Sequence, residues 1–171
     1  SGTVDDNIDK ADAVCSVTPY DVTYDGQPHT ATGECLDVDG AALAGLDLSG
    51  TTHTAAGVYD NDPWTFTDLT GNYNDAAGTV DNNIDKATSS TVVTCPANVT
   101  YNGSAQTPCT AKATGVGMGD VDVTASLVYA SNTNVGAATA EASWGGDANH
   151  AGSSGTGGFA IGNDSYTYSA F

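Results

Sequence analysis

Residues 1–11 read SGTVDDNIDKA, and residues 77–87 read AGTVDNNIDKA. This near-identity, at an offset of 76, is the first of three matches that recur in order along the chain. Val22-Thr23-Tyr24-Asp25-Gly26 matches Val99-Thr100-Tyr101-Asn102-Gly103 at an offset of 77, and Gly71-Asn72-Tyr73 matches Ala148-Asn149-His150 at the same offset. Ordered matches at one spacing mark an internal repeat, and the repeat sets the boundaries of everything else. One unit covers residues 9–85 and the next 86–162. Residues 1–8 carry the sequence that ends a unit, so they are expected to be the terminal strand of a preceding module or a donor-type strand. Residues 163–171 lie beyond the second unit as a C-terminal strand or tail.

The composition inside the units is that of short strands joined by tight turns. There are 24 Thr and 21 Gly among the 171 residues, while the residues that fill helix surfaces are scarce. Val121, Val123, Ala125, Leu127 and Tyr129 alternate with Asp122, Thr124, Ser126 and Val128, which predicts one half-buried strand. Trp64 and Phe66 alternate with Thr65 and Thr67, as Ala140, Ala142 and Trp144 do with their neighbours. Asp25-Gly26 and Asn102-Gly103 predict two-residue hairpin turns of type I′. Short strands with turns every 8–12 residues or so predict β-sandwiches.

Charge narrows the function. The chain holds 21 acidic residues, 19 of them Asp, against three Lys and no Arg, for a net charge of −18. Three lysines cannot build a phosphate-binding surface, so nucleic acid is excluded as a partner. No apolar stretch is long enough to span a bilayer as a helix, which argues against direct membrane insertion, and no signal-peptide pattern opens the chain. Sixteen of the acids fall in residues 1–85 and five in 86–171. If both halves share one fold, the charge is surface decoration rather than a requirement of that fold.

Four cysteines allow three pairings. Shifted back by 77, Cys95 and Cys109 fall on Thr18 and Thr32. Facing residues of an antiparallel ladder share a constant index sum, and the pairs 15/35 and 18/32 both give 50. This predicts Cys15–Cys35 and Cys95–Cys109, one bridge per unit. Positions three apart face opposite sides of a strand, so a bulge or a loosely paired segment at Pro19 and Pro96 is also expected. Disulfides imply an extracellular or cell-surface setting. No C-x-x-C supports a zinc site.

At these residues the chain resembles the MBG and YDG-type repeat domains of microbial surface proteins and adhesins. The likeness rests on Tyr24-Asp25-Gly26 and Tyr101-Asn102-Gly103, on Asn72-Tyr73 and Asn149-His150, and on the closing Ile8 to Ala11 and Ile84 to Ala87. It implies an all-β chain of two tandem immunoglobulin-like antiparallel β-sandwich modules. It supplies no catalytic residues.

The chemistry-bearing side chains point the same way. His29, His53 and His150 occupy non-equivalent places without a nucleophile motif, and are read as surface histidines. Asp5-Asp6, Asp37-x-Asp39, Asp60-x-Asp62 and Asp120-x-Asp122 make structural calcium the one cofactor worth testing, although none has EF-hand spacing. Asn98, Asn102 and Asn163 head N-x-[ST] sequons and are glycosylation candidates. Tyr20, Tyr24, Tyr101, Trp64 and Trp144 are read as core, while Tyr166, Tyr168 and Phe171 fit no repeat position. The expected protein is a non-enzymatic stalk, adhesin or filament component. Its partners are neighbouring copies or modules, with polymerisation by strand addition through the terminal segments. A carbohydrate-binding module, with glycans as partners, is the alternative.

Overall fold

The computed structural model describes residues 7–163. Most of both expected terminal strands, residues 1–6 and 164–171 with Tyr166, Tyr168 and Phe171, therefore lies outside the described residues. Asn7, Ile8 and Asn163 are exposed and belong to no strand. The chain divides into two compact units between Asp85 and Lys86, and it is all-β, with no α-helix among the described residues.

The first unit contains β1 (Ala11–Asp12), β2 (Val14–Thr18), β3 (Asp21–Thr23), β4 (Thr32–Leu36), β5 (Ala42–Leu43), β6 (Leu46–Asp47), β7 (Gly57–Phe66), β8 (Tyr73–Asn74) and β9 (Ala76–Asp85). One sheet has the order β2-β4-β5, a second β3-β9-β7-β6, and β1 pairs with β8. The second unit contains β10 (Ser89–Thr94), β11 (Asn98–Thr100), β12 (Thr110–Gly115), β13 (Val121–Asp122), β14 (Val128–Ala130), β15 (Gly136–Gly146) and β16 (Ala151–Gly162). Its sheets run β10-β12-β13 and β11-β16-β15-β14, an arrangement consistent with a β-sandwich.

The pairing is not purely antiparallel, which corrects the expected architecture. β1 runs parallel to β8, β3 to β9 and β11 to β16. For the last two the cause lies at Pro19 and Pro96, between β2 and β3 and between β10 and β11 respectively. Proline donates no ladder hydrogen bond, so pairing stops there and the chain crosses to the second sheet. It then lies alongside the last strand of its own unit, in the same direction.

Two further expectations are corrected. Asp25-Gly26 and Asn102-Gly103 do not close hairpins, because the strands on either side of each turn belong to different sheets. Gly26 and Gly103 have φ of +81° and +76°, but Asp25 and Asn102 do not have the positive φ that a type I′ turn requires. Their side chains instead accept the N–H two residues on. The predicted single strand at 121–129 is broken by a 3₁₀ turn at Thr124–Ser126, where Asp122 Oδ1 accepts the Thr124 N–H and Ser126 Oγ donates to Val123 O. β13 pairs with β12 and β14 with β15, so this segment passes between sheets too.

β2 and β4 pair from Val14↔Leu36 to Thr18↔Thr32, all at index sum 50. β10 and β12 pair from Ser89↔Gly115 to Thr94↔Thr110, all at 204, which is 50 plus twice 77. Both ladders are regular, so the expected bulge is absent. The odd-numbered positions turn inward in both strands: Cys15 and Val17 in β2, Thr91 and Val93 in β10. An odd offset would reverse the faces, so the local correspondence must be even. Ala11 and Ala87 make equivalent parallel bridges, to Tyr73 and His150, at an offset of 76. Continuing 76 along β10 requires 78 along β12 to preserve the sum. In that frame Thr91↔Ala113 answers to Cys15↔Cys35, and Cys95 faces Cys109 two inward rungs farther along.

Each core is small. In the first unit Phe66, Tyr73 and Cys35 are buried, with Trp64, Leu43 and Leu46 packed against them. The second unit relies on Ala111, Ala113, Ala138, Ala140 and Ala142 beside Phe159, Ile161 and Val123. Side chains this short bring the sheets close together. A Cβ on Gly155 of β16 would collide with the Thr91 carbonyl of β10. Gly155→Ala is therefore expected to destabilise the second unit by roughly 1–3 kcal/mol. On Gly158 a Cβ would lie 3.6 Å from Ala138 O, an ordinary contact, so Gly158→Ala should change stability by less than about 0.5 kcal/mol. Urea unfolding of both variants checks the contrast, and equal effects would contradict the close sheet contact.

Candidate functional site

The repeated motifs are the places where the ends of each unit meet. Val22 pairs with Ile84, and the Tyr24 N–H donates to Asp85 O at 2.8 Å. In the second unit Val99 pairs with Ile161, and the Tyr101 N–H donates to Gly162 O at 2.8 Å. The Lys-Ala motif meets the Asn-Tyr or Asn-His motif in the same way. The Ala11 N–H donates to Asn72 O and the Ala87 N–H to Asn149 O, each at 2.9 Å. Lys10 Nζ donates to Tyr73 O at 3.1 Å and Lys86 Nζ to Asp147 O at 2.6 Å. A depression of about 370 Å³ opens at the first of these junctions, lined by Ile8, Lys10, Asn72 and Tyr73 among others.

The carboxylates are engaged locally. Asp25, Asp37, Asp47, Asp68, Asp122 and Asp147 each accept the backbone N–H two residues on. An Asp side chain closes this turn because it is one methylene shorter than Glu. Asp68 is held hardest. Burial pushes its carboxyl up, but the N–H groups of Tyr73, Thr70 and Gly71 and the Thr70 hydroxyl together bring it down to about 2. Asp120 pairs with Lys112 at 3.0 Å. Among the described residues no three His, Cys, Asp or Glu side chains are grouped to hold a metal ion, and the Asp37, Asp62, Asp120 and Asp122 carboxylates expected for calcium have these protein partners instead.

The histidines were read as surface residues, and here the structure differs most. His150 is 2% exposed. Its Nε2 lies 2.7 Å from Val116 O and its Nδ1 2.9 Å from Asp147 Oδ1. Both partners accept, so the ring satisfies both only as the imidazolium. The Val116 carbonyl first, and then the Asp147 carboxylate, raise its pKa against the opposing effect of burial.

In the first unit, β7 bulges between Tyr59 and Asp62, where Asn61 has φ +60° and donates its N–H to Asp81 Oδ1. The bulge turns Asp62 inward, to 8% exposure, while Asp60 stays outside. Asp62 Oδ2 accepts from Asn82 Nδ2 at 2.7 Å and lies 2.8 Å from His53 Nε2. Asn82 Oδ1 accepts the Tyr20 N–H, the Tyr20 hydroxyl donates to Thr51 O, and Tyr59 stacks on His53 with ring centroids 3.6 Å apart. Burial first, and then the charge of Asp62, raise the Tyr20 hydroxyl pKa. The network ties the β2–β3 link to β7 and β9, and its polar atoms bind one another. Sequence reading missed it, although the tandem position of His150 and buried Tyr73 was a usable signal for His150.

Cys15 is joined to Cys35 and Cys95 to Cys109, with Cα–Cα distances of 4.0 and 4.3 Å, the short spacing of directly facing, non-hydrogen-bonded residues. Two disulfides suit a non-reducing environment, and no helix of the described residues is long and apolar enough to cross a membrane. Asn98, Asn102 and Asn163 are all exposed. Tyr20, Tyr24, Trp64 and Trp144 are partly buried, but Tyr101 is 44% exposed, a correction to its reading as core. Its hydroxyl lies over Gly103, 4.0 Å from where a Cβ would stand.

No family model matches the chain, and no curated protein matches it either.

Two measurements follow from this geometry. Because the His150 pKa is raised in the fold, its contribution is fully present below the ordinary value of 6.5 and is lost as pH rises through the folded value. Calorimetric melting of the second unit should therefore fall as pH rises above about 6.5, and His150→Tyr, the residue found at Tyr73, should flatten that slope. A slope unchanged in the variant would place the titrating group elsewhere. Replacing Cys95 and Cys109 together by Ala should cost roughly 3 kcal/mol of unfolding free energy for a loop of this length, read by chemical denaturation.

Proposed function

We propose that this chain is a structural and adhesive component of an extracellular surface layer, stalk or filament. On this reading its two units are tandem immunoglobulin-like modules of the MBG/YDG type, acting as cross-linked spacers rather than as an enzyme. The observation that carries it is the closure of each unit on itself. The repeated motifs pair the first residues with the last, and one disulfide fixes the adjacent ladder. A first strand divided between two sheets, with its second half beside the last strand, supports the immunoglobulin-like description.

The acidic side chains support the same role. Six of them cap turns and most of those described face solvent, keeping a repeat protein hydrated and unaggregated. Neighbouring copies or modules are the proposed partners, joined by strand addition through residues 1–8 and 163–171. Asn98, Asn102 and Asn163 are proposed to carry glycans on exposed faces. One observation favours a second reading, a carbohydrate-binding module: the exposed Tyr101 ring offers a sugar a flat face to stack on. Loss of glycan-array binding in Tyr101→Ala would favour it.

Electron microscopy of the native source, with an antibody raised against the chain, tests the main proposal. Labelled filaments or a labelled surface layer are expected, together with loss of assembly when residues 1–8 are deleted. Label confined to a reducing compartment would overturn the structural role, whereas assembly that survives the deletion would overturn only the strand-addition route.

A further inference from the structure

Asn102-Gly103 is the chain's single Asn-Gly pair. The reactivity of such a pair comes from the residue that follows the asparagine. When that peptide nitrogen loses its proton it can attack the side-chain Cγ, and a Cβ on the following residue would obstruct the approach. Glycine has none, and it accepts the φ of +76° found at Gly103. Asn102 is exposed, and its Oδ1 accepts the Ser104 N–H at 2.9 Å, which folds the side chain over the Gly103 peptide.

The first unit shows what the product of that reaction would look like. At the matching turn the chain carries Asp25, whose Oδ1 accepts the Gln27 N–H at 2.8 Å, followed by Gly26 at φ +81°. The Tyr24 hydroxyl lies 3.9 Å from a Cβ position on Gly26, against 4.0 Å for Tyr101 and Gly103. The same backbone turn is thus built twice, once around a carboxylate that also meets His29 Nε2 at 3.0 Å and once around an amide.

We propose that Asn102 is a site of spontaneous deamidation that the fold is shaped to accept. The Gly103 nitrogen bonds to Asn102 Cγ, ammonia leaves with the side-chain nitrogen, and a succinimide forms. Water then opens the ring to aspartate or isoaspartate. The aspartate product converts Tyr101-Asn102-Gly103 into the Tyr-Asp-Gly arrangement that the first unit encodes, adds one negative charge, and removes the Asn102-Gly103-Ser104 sequon. A glycan on Asn102 Nδ2 and deamidation are therefore mutually exclusive fates of one side chain.

The test incubates the intact, unglycosylated chain at about pH 8.5 in water enriched in oxygen-18, with peptide mapping over time. Asn102 is expected to convert at least about tenfold faster than any other asparagine of residues 7–163, gaining a single heavy oxygen through the succinimide. Gly103→Ala should slow this by about tenfold or more, and Asn102→Asp should melt within about 2 °C of the parent. An Asn102 that stays intact while other asparagines convert would overturn the proposal, as would conversion at an unchanged rate in Gly103→Ala. A large drop in the melting temperature of Asn102→Asp would overturn the claim that the fold accepts the product. The labelling and the Asn102→Asp variant remain informative if Gly103→Ala fails to fold.

Discussion

Each unit depends on the way its first strand divides its hydrogen bonds between two sheets. β2 and β10 pair antiparallel in one sheet, while β3 and β11 lie parallel to the last strand in the other. That division joins the beginning of the unit to its end across both layers. A unit of about 77 residues buries little apolar surface, and in the second one that surface is largely alanine. Backbone closure and a covalent rung take over what a larger core would otherwise supply. The sheets can then lie close enough for a glycine at 155 to be required.

The carboxylates follow from the same economy of size. Turns of two to four residues expose N–H groups that the sheets cannot satisfy, and an Asp side chain satisfies them without extra chain. This accounts for Asp rather than Glu. The first unit has Asp25, Asp37, Asp47 and Asp68 capping its turns, and the second has Asn102, Asp122 and Asp147 in that role. Where an acid is turned inward, as Asp62 is, a bulge and two polar partners accompany it.

Much of the fold was legible in the sequence because strands have a short period. Alternation located Trp64 and Phe66, and Ala140 to Trp144, and the constant index sum is the one that both ladders obey. The misread turns and the misread strand share one cause. The turns at Asp25-Gly26 and Asn102-Gly103 and the segment 121–129 each carry the chain from one sheet to the other, and local pattern does not reveal which sheet receives a strand. The His53–Asp62–Asn82 network was illegible for a related reason: a bulge shifts the inward face by one residue, and alternation cannot foresee it.

The sequence by itself determined the repeat, its all-β character and its acidity, because period, propensity and charge are properties of residues and their order. Only the tertiary structure decided that the units close with parallel pairs, that the repeat slips by one residue along its first ladder, and that His150 is buried between a carbonyl and a carboxylate. The parallel pairs join backbone groups 62 residues apart, and His150 meets the Val116 carbonyl across 34. Packing and hydrogen-bond geometry choose among several pairings that the same local sequence would permit.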